Sequence, residues 1–145
     1  MNDITTDRTG LTVRGGLPAD ANSAFSAWVD SAALKQWMCY NDDAGWDFIL
    51  DVREGGQFRI DMSHEGRTIA HTGVYTTIRR PERLAFTWVS KFTNDEQSQV
   101  TIDFSDTTTG SEILLSHTHL PEEFVEAHAN GWSEFIDELR AWLSR

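Results

Sequence analysis

The chain has 145 residues and a formal net charge of −11, with 39% hydrophobic and 24% charged residues. That length suits one domain with a sizeable core, and no apolar run reaches membrane-spanning length. A surface this acidic repels phosphate backbones and anionic headgroups, so nucleic acid and membranes are excluded as expected partners. The lone Cys39 rules out an internal disulfide, suits a reducing cytoplasm, and is expected to be a half-buried structural thiol.

Residues 1–10 are polar and lack an apolar run, which predicts a tail rather than a secretory signal or an anchor. Residues 11–17 alternate weakly and predict a strand that Pro18 ends. Asp20 and Asn22 are suited to cap a helix carrying Ala24, Phe25, Trp28 and Val29. Asp30 and Ser31 interrupt it, and a second short helix is predicted over 32–38, with Leu34, Trp37 and Met38. The polar segment 41–45 predicts a loop, after which the hydrophobic period changes to two.

Six candidate strands follow. Trp46, Phe48, Leu50 and Val52 share a face, Glu54-Gly55-Gly56 turns the chain, and Phe58, Ile60 and Met62 alternate with Arg59 and Asp61. His64-Glu65-Gly66-Arg67 turns it again. The run 68–78 is ambiguous, because Val74 and Ile78 favour one face and Ile69 and Tyr75 the other; a bulge near Gly73 would reconcile them. Arg79, Arg80 and Arg83 surround Pro81 in a turn, where solvated charge is the plain expectation. Leu84, Phe86 and Trp88, then Val100, Ile102 and Phe104, then Ile113, Leu115, His117 and His119 each predict one face of a strand.

Over 121–143, Phe124, His128, Trp132, Phe135, Leu139 and Trp142 recur at helical spacing on one stripe. Glu122 and Glu123 complement one end of the helix dipole, Arg140 and Arg145 the other. At about 1.5 Å per residue the helix would run roughly 34 Å, enough to cross a small domain. Short connections predict antiparallel neighbours: a meander of six strands, with strand 11–17 added at its edge, curled around the terminal helix and closed at one end by the two short helices. Such a grip-like α+β domain leaves an elongated apolar space under the helix.

The order of elements, the segment Asp51-Val52-Arg53-Glu54-Gly55-Gly56-Gln57-Phe58, the run Arg80-Pro81-Glu82-Arg83-Leu84-Ala85-Phe86-Thr87-Trp88, and Gly131-Trp132 in the last helix resemble one group. It is the family named for the activator of the heat-shock-protein-ninety ATPase, within the START-like (SRPBCC) superfamily, whose pollen-allergen relatives share the helix-grip fold. The resemblance covers 11–143. It implies a single START-like domain over 11–145, a curved antiparallel sheet of about seven strands, a protein of the kind usually bacterial and cytoplasmic, and a central cavity for hydrophobic or amphipathic small molecules. The superfamily it points to also includes lipid carriers, receptors, cyclases and chaperone activators, so the fold names no reaction.

The residues expected to face that cavity are Trp37, Trp46, Phe58, Tyr75, Phe86, Trp88, His117 and Trp132, with Phe135, Trp132 and Phe124 as its roof. Gly131 in mid-helix predicts either close approach of sheet and helix or room for a ligand, the former first. His117, His119 and His128 are a conceivable zinc set, but their spacing matches no zinc motif and neither metal nor cofactor is expected. His117 with Tyr75 is the acid–base pair to test. His71 and His64 are expected at an edge or turn. No nucleophile elbow, zinc-protease motif, phosphate loop or C-x-x-C occurs. The leading expectation is a protein that holds a hydrophobic or aromatic ligand. Its rivals are a cyclase or hydrolase using the same cavity and a chaperone-regulating interaction module; a homodimer through a sheet edge is a further alternative.

Overall fold

Alternating apolar residues and Gly- or Asn-containing turns build the strands of the chain into one sheet, and the computed structural model describes the protein over residues 2–39 and 46–145. The loop predicted over 41–45 lies outside the described residues. The elements are β1 (Asp3–Thr6), β2 (Leu11–Leu17), α1 (Ala21–Val29), α2 (Ser31–Trp37), β3 (Asp47–Leu50), β4 (Gln57–His64), β5 (Arg67–Arg79), β6 (Arg83–Trp88), β7 (Ser98–Thr107), β8 (Gly110–Thr118) and α3 (Val125–Leu143). All neighbours are antiparallel in an eight-stranded sheet of order β1-β2-β8-β7-β6-β5-β4-β3. The predicted meander is therefore β3 to β8, and the first predicted strand, β2, joins it beside β8. This is the helix-grip fold.

The segment expected to be a polar tail contributes the extra strand. β1 pairs with β2 from Asp3↔Arg14 to Thr6↔Leu11. Its four side chains are exposed, so no hydrophobic pattern announces it. It is held by backbone pairing and by Asn2, whose amide donates to Ser133 and Asp137 of α3 at 3.0 Å.

Asp20 caps α1 by accepting from Ser23 N, and Asp30 ends α1 and caps α2 by accepting from Ala32 N. The bulge in β5 lies between Tyr75 and Thr77, not at Gly73. One extra residue there turns Ile78 onto the same face as Tyr75, which resolves the conflicting periodicity. Gly73 serves another purpose: a Cβ on it would collide with Thr87 O and lie 2.5 Å from the Phe58 ring. The arginine cluster is paired. Arg80 donates to Asn22 and Ser26 and stacks 4.8 Å over Phe25, and Arg83 meets Asp103 through two bonds. Cys39 is half-buried. Among the described residues no helix is long and apolar enough to cross a membrane.

The terminal helix starts later than predicted, a 3-10 turn at Glu122–Phe124 preceding α3. Its core face is also rotated. Val125, Ala129, Trp132, Ile136 and Leu139 are buried, whereas His128, Phe135 and Trp142 are half-buried. The predicted stripe is split because part of the helix faces a space rather than packed side chains.

Candidate functional site: an aromatic cavity beneath the terminal helix

The space is a cavity of about 380 Å³ between the first half of α3 and the sheet. The helix contributes Ala127, His128, Gly131, Trp132 and Phe135; the sheet contributes Met62 and Ser63 of β4, Ile69 and His71 of β5 and Trp88 of β6. Trp46 and Phe92 complete the wall. Phe92, on a 3-10 turn at Lys91–Thr93 that a Ser90–Thr93 capping box fixes, packs edge-on against Phe124 with centroids 6.0 Å apart. Phe124 thus stands at the rim rather than in the roof.

Gly131 accounts for part of the space. A Cβ built on it meets nothing within 4 Å, so the helix does not approach the sheet closely there, contrary to the first expectation. The missing side chain leaves room.

Four of the ten residues expected to face or roof the cavity line it: Trp46, Trp88, Trp132 and Phe135. Trp37 does not. It lies in α2, donates its indole N–H to Ala27 O at 3.0 Å and packs edge-on against Trp28, so it joins the two short helices instead. Phe58, Tyr75 and Phe86 face inward but pack on one another, with centroids 5.3 to 6.3 Å apart. They leave only a void of about 30 Å³, shared with Trp28 and separated from the main cavity by Trp88 and Trp132.

His117 is fully buried behind Trp132, and its bonds define its protonation. Trp132 Nε1 donates to His117 Nδ1 at 3.0 Å, so Nδ1 is bare and Nε2 carries the hydrogen. Nε2 donates to Ser98 Oγ at 2.7 Å, and Ser98 donates to Trp88 O at 2.6 Å. This relay fixes the ring of Trp132 in the cavity wall. Burial, with nearby His128 adding to it, pulls the His117 pKa down to about 2, so the ring is neutral. It does not meet Tyr75: the register runs Tyr75↔Phe86, Phe86↔Val100, Val100↔His117, three strand spacings or roughly 14 Å.

The histidines do not form a metal site. His119 follows β8 with a φ of 63° and is exposed, and both nitrogens of His117 are engaged. Among the described residues no group of side chains suits a metal ion.

His71 is neither at an edge nor in a turn: it is buried in mid-β5, in ring contact with Trp88 at 5.0 Å. The parity of Ile69, His71, Gly73 and Tyr75 is the signal that would have found it. Burial lowers its pKa to about 4, against the opposing pull of the Ile69 carbonyl 3.1 Å from Nδ1. His128, on the helix side, is also lowered by burial; its Nδ1 lies 2.8 Å from Phe124 O. His71 and His128 in the cavity wall, and His117 behind it, are thus uncharged at neutral pH.

Comparison with known proteins agrees with this architecture. A protein from Rhodobacter sphaeroides superposes with a TM-score of 0.82 at 21% identity, over 99% of both chains. One from Nitrosomonas europaea gives 0.78 at 21% identity over 97% of both. CalU16 from Micromonospora echinospora gives 0.74 at 21% identity, over 99% of this chain and 85% of its own. At these identities the likeness is one of fold. No curated protein matches the sequence. The family described as Activator of Hsp90 ATPase homolog 1-like protein matches residues 18–144, and with nearly the whole grip, helix and cavity inside that match, the chain belongs to this family.

Proposed function

We propose that the protein binds a hydrophobic or aromatic small molecule in the cavity beneath α3. The observation that carries this reading is the open space of about 380 Å³ over Gly131, walled by Trp46, Trp88, Trp132 and Phe135. Its size falls within the range of small-molecule sites, roughly 300–1,000 Å³. Its rings supply flat apolar area whose burial drives binding at about 25 cal/mol per Å². The neutral histidines suit orientation by hydrogen bonding rather than by charge.

Native mass spectrometry of the purified protein, followed by a thermal-shift screen of fatty acids, sterols and flavonoids, tests it. A compound at a hundred times its dissociation constant stabilises by about 2.7 kcal/mol, or about 5–10 °C in a chain of this size. Gly131→Phe should abolish that shift while leaving the protein folded. A protein that retains no molecule and responds to none of these compounds would overturn the reading.

A further inference from the structure

The polar atoms of the cavity wall narrow the ligand's chemistry. Trp46 Nε1 donates to Ser63 O and Trp132 Nε1 to His117, so these indole hydrogens are engaged, Trp88 Nε1 is buried with no partner among the described residues, and His71 Nδ1 meets the Ile69 carbonyl at 3.1 Å. His128 Nδ1 faces the carbonyl of Phe124 at 2.8 Å, and a carbonyl can only accept, so the neutral ring carries its hydrogen on Nδ1. Nε2, on the side of the ring away from that carbonyl, is left as a bare lone pair. His128 is half-buried and lines the cavity. No Lys, Arg, Asp or Glu lines the cavity among the described residues.

A lone pair in an apolar enclosure favours a hydrogen-bond donor and disfavours an anion, because a carboxylate brought here loses its hydration and gains no countercharge. Resting on the binding role argued above, we propose that the ligand is an uncharged aromatic compound bearing a hydroxyl group. Its O–H donates to His128 Nε2 and its ring lies against Trp88, Trp132 and Phe135. Fatty acids and aromatic carboxylates are selected against by the same geometry. The hydroxyl transfers no proton; it makes one hydrogen bond that a plain hydrocarbon cannot.

Titration of the intact protein with naphthol, naphthalene and naphthoate at neutral pH tests this. Naphthol should bind about tenfold more tightly than naphthalene, the worth of one hydrogen bond, and about a hundredfold more tightly than naphthoate. His128→Leu, at a half-buried position, should abolish the preference, so that naphthol and naphthalene bind with the same affinity. In nitrogen-15 spectra, the Nε2 resonance of His128 should move upfield with naphthol and stay with naphthalene. Equal binding of naphthol and naphthalene, or naphthoate as strong as naphthol, would overturn the hydroxyl inference while leaving the binding role intact. Failure of all three probes, with Gly131→Phe indistinguishable from the parent protein, would overturn the binding role and this inference with it.

Discussion

Gly131 shows how one absent side chain sets the character of a site. In a helix interior glycine is less favourable than alanine by about 1 kcal/mol, and here a methyl group would meet nothing within 4 Å. Gly131→Ala should therefore raise the free energy of unfolding by about 1 kcal/mol, measured by urea denaturation; a loss of stability would mean that the space is not open. Gly73 behaves in the opposite way, because its substituent would run into Thr87 O and the Phe58 ring. Gly73→Ala should cost about 1–3 kcal/mol as an overpacking change. Indole hydrogens offer a finer contrast. Trp37 gives its N–H to Ala27 O, whereas Trp28 Nε1 is buried with no partner among the described residues. Replacing each by phenylalanine should therefore cost about 1 kcal/mol more at Trp37 than at Trp28, since only the former strands a carbonyl.

At the scale of elements, the sequence is informative where one face of a strand or helix meets packed side chains. The caps at Asp20 and Asp30, the alternation of β4, β6, β7 and β8, and the long terminal helix all follow from such patterns. The stripe on α3 was misphased because periodicity records that a residue is apolar, not whether it meets the core or a cavity. Phe135 lines the cavity with His128, while Val125 and Ile136, as apolar as Phe135, make the core contact. His71 lies before the β5 bulge, in the intact parity of Ile69, Gly73 and Tyr75, and its imidazole is a polar group that hydrophobic alternation does not mark as inward. β1 was illegible because its support is distant in sequence. Arg140 makes part of that support, donating to Gly16 O at 2.7 Å, to Asp137, and to Asn2. Arg140→Ala should loosen β1 selectively: its amides lose hydrogen-exchange protection while those of β7 and β8 keep theirs. Uniform loss across the sheet would show that β1 is coupled to global unfolding instead.

For the whole molecule, the buried neutral histidines make stability depend on pH. His71 and His117 have pKa values held near 4 and 2, chiefly by burial, against about 6.5 in the unfolded chain. His71 is faced by His128 and Asp61, and His117 by His128. Below pH 6.5 the unfolded state takes up protons that the native state refuses, so stability present at neutral pH is lost on acidification. Both groups act together between about pH 6 and 4.5, giving a fall of about 2–3 kcal/mol per pH unit. That is a large share of the roughly 5–15 kcal/mol typical of a domain. Denaturation midpoints measured across this window should drop steeply, and His71→Gln should remove about half the slope. A flat profile would mean that the rings protonate without unfolding.

The indoles that line and back the cavity also form an unbroken file. Trp37 lies 4.9 Å from Trp28, Trp28 lies 6.2 Å from Trp132, and Trp132 lies 5.1 Å from Trp88, centroid to centroid. Electronic excitation hops readily across such gaps, so light absorbed at the far end of the file is shared with the two rings that form the cavity wall. An occupant absorbing in the near ultraviolet would therefore dim the emission of the buried indoles together, not merely of those it touches, and the protein would report its own occupancy optically without a label.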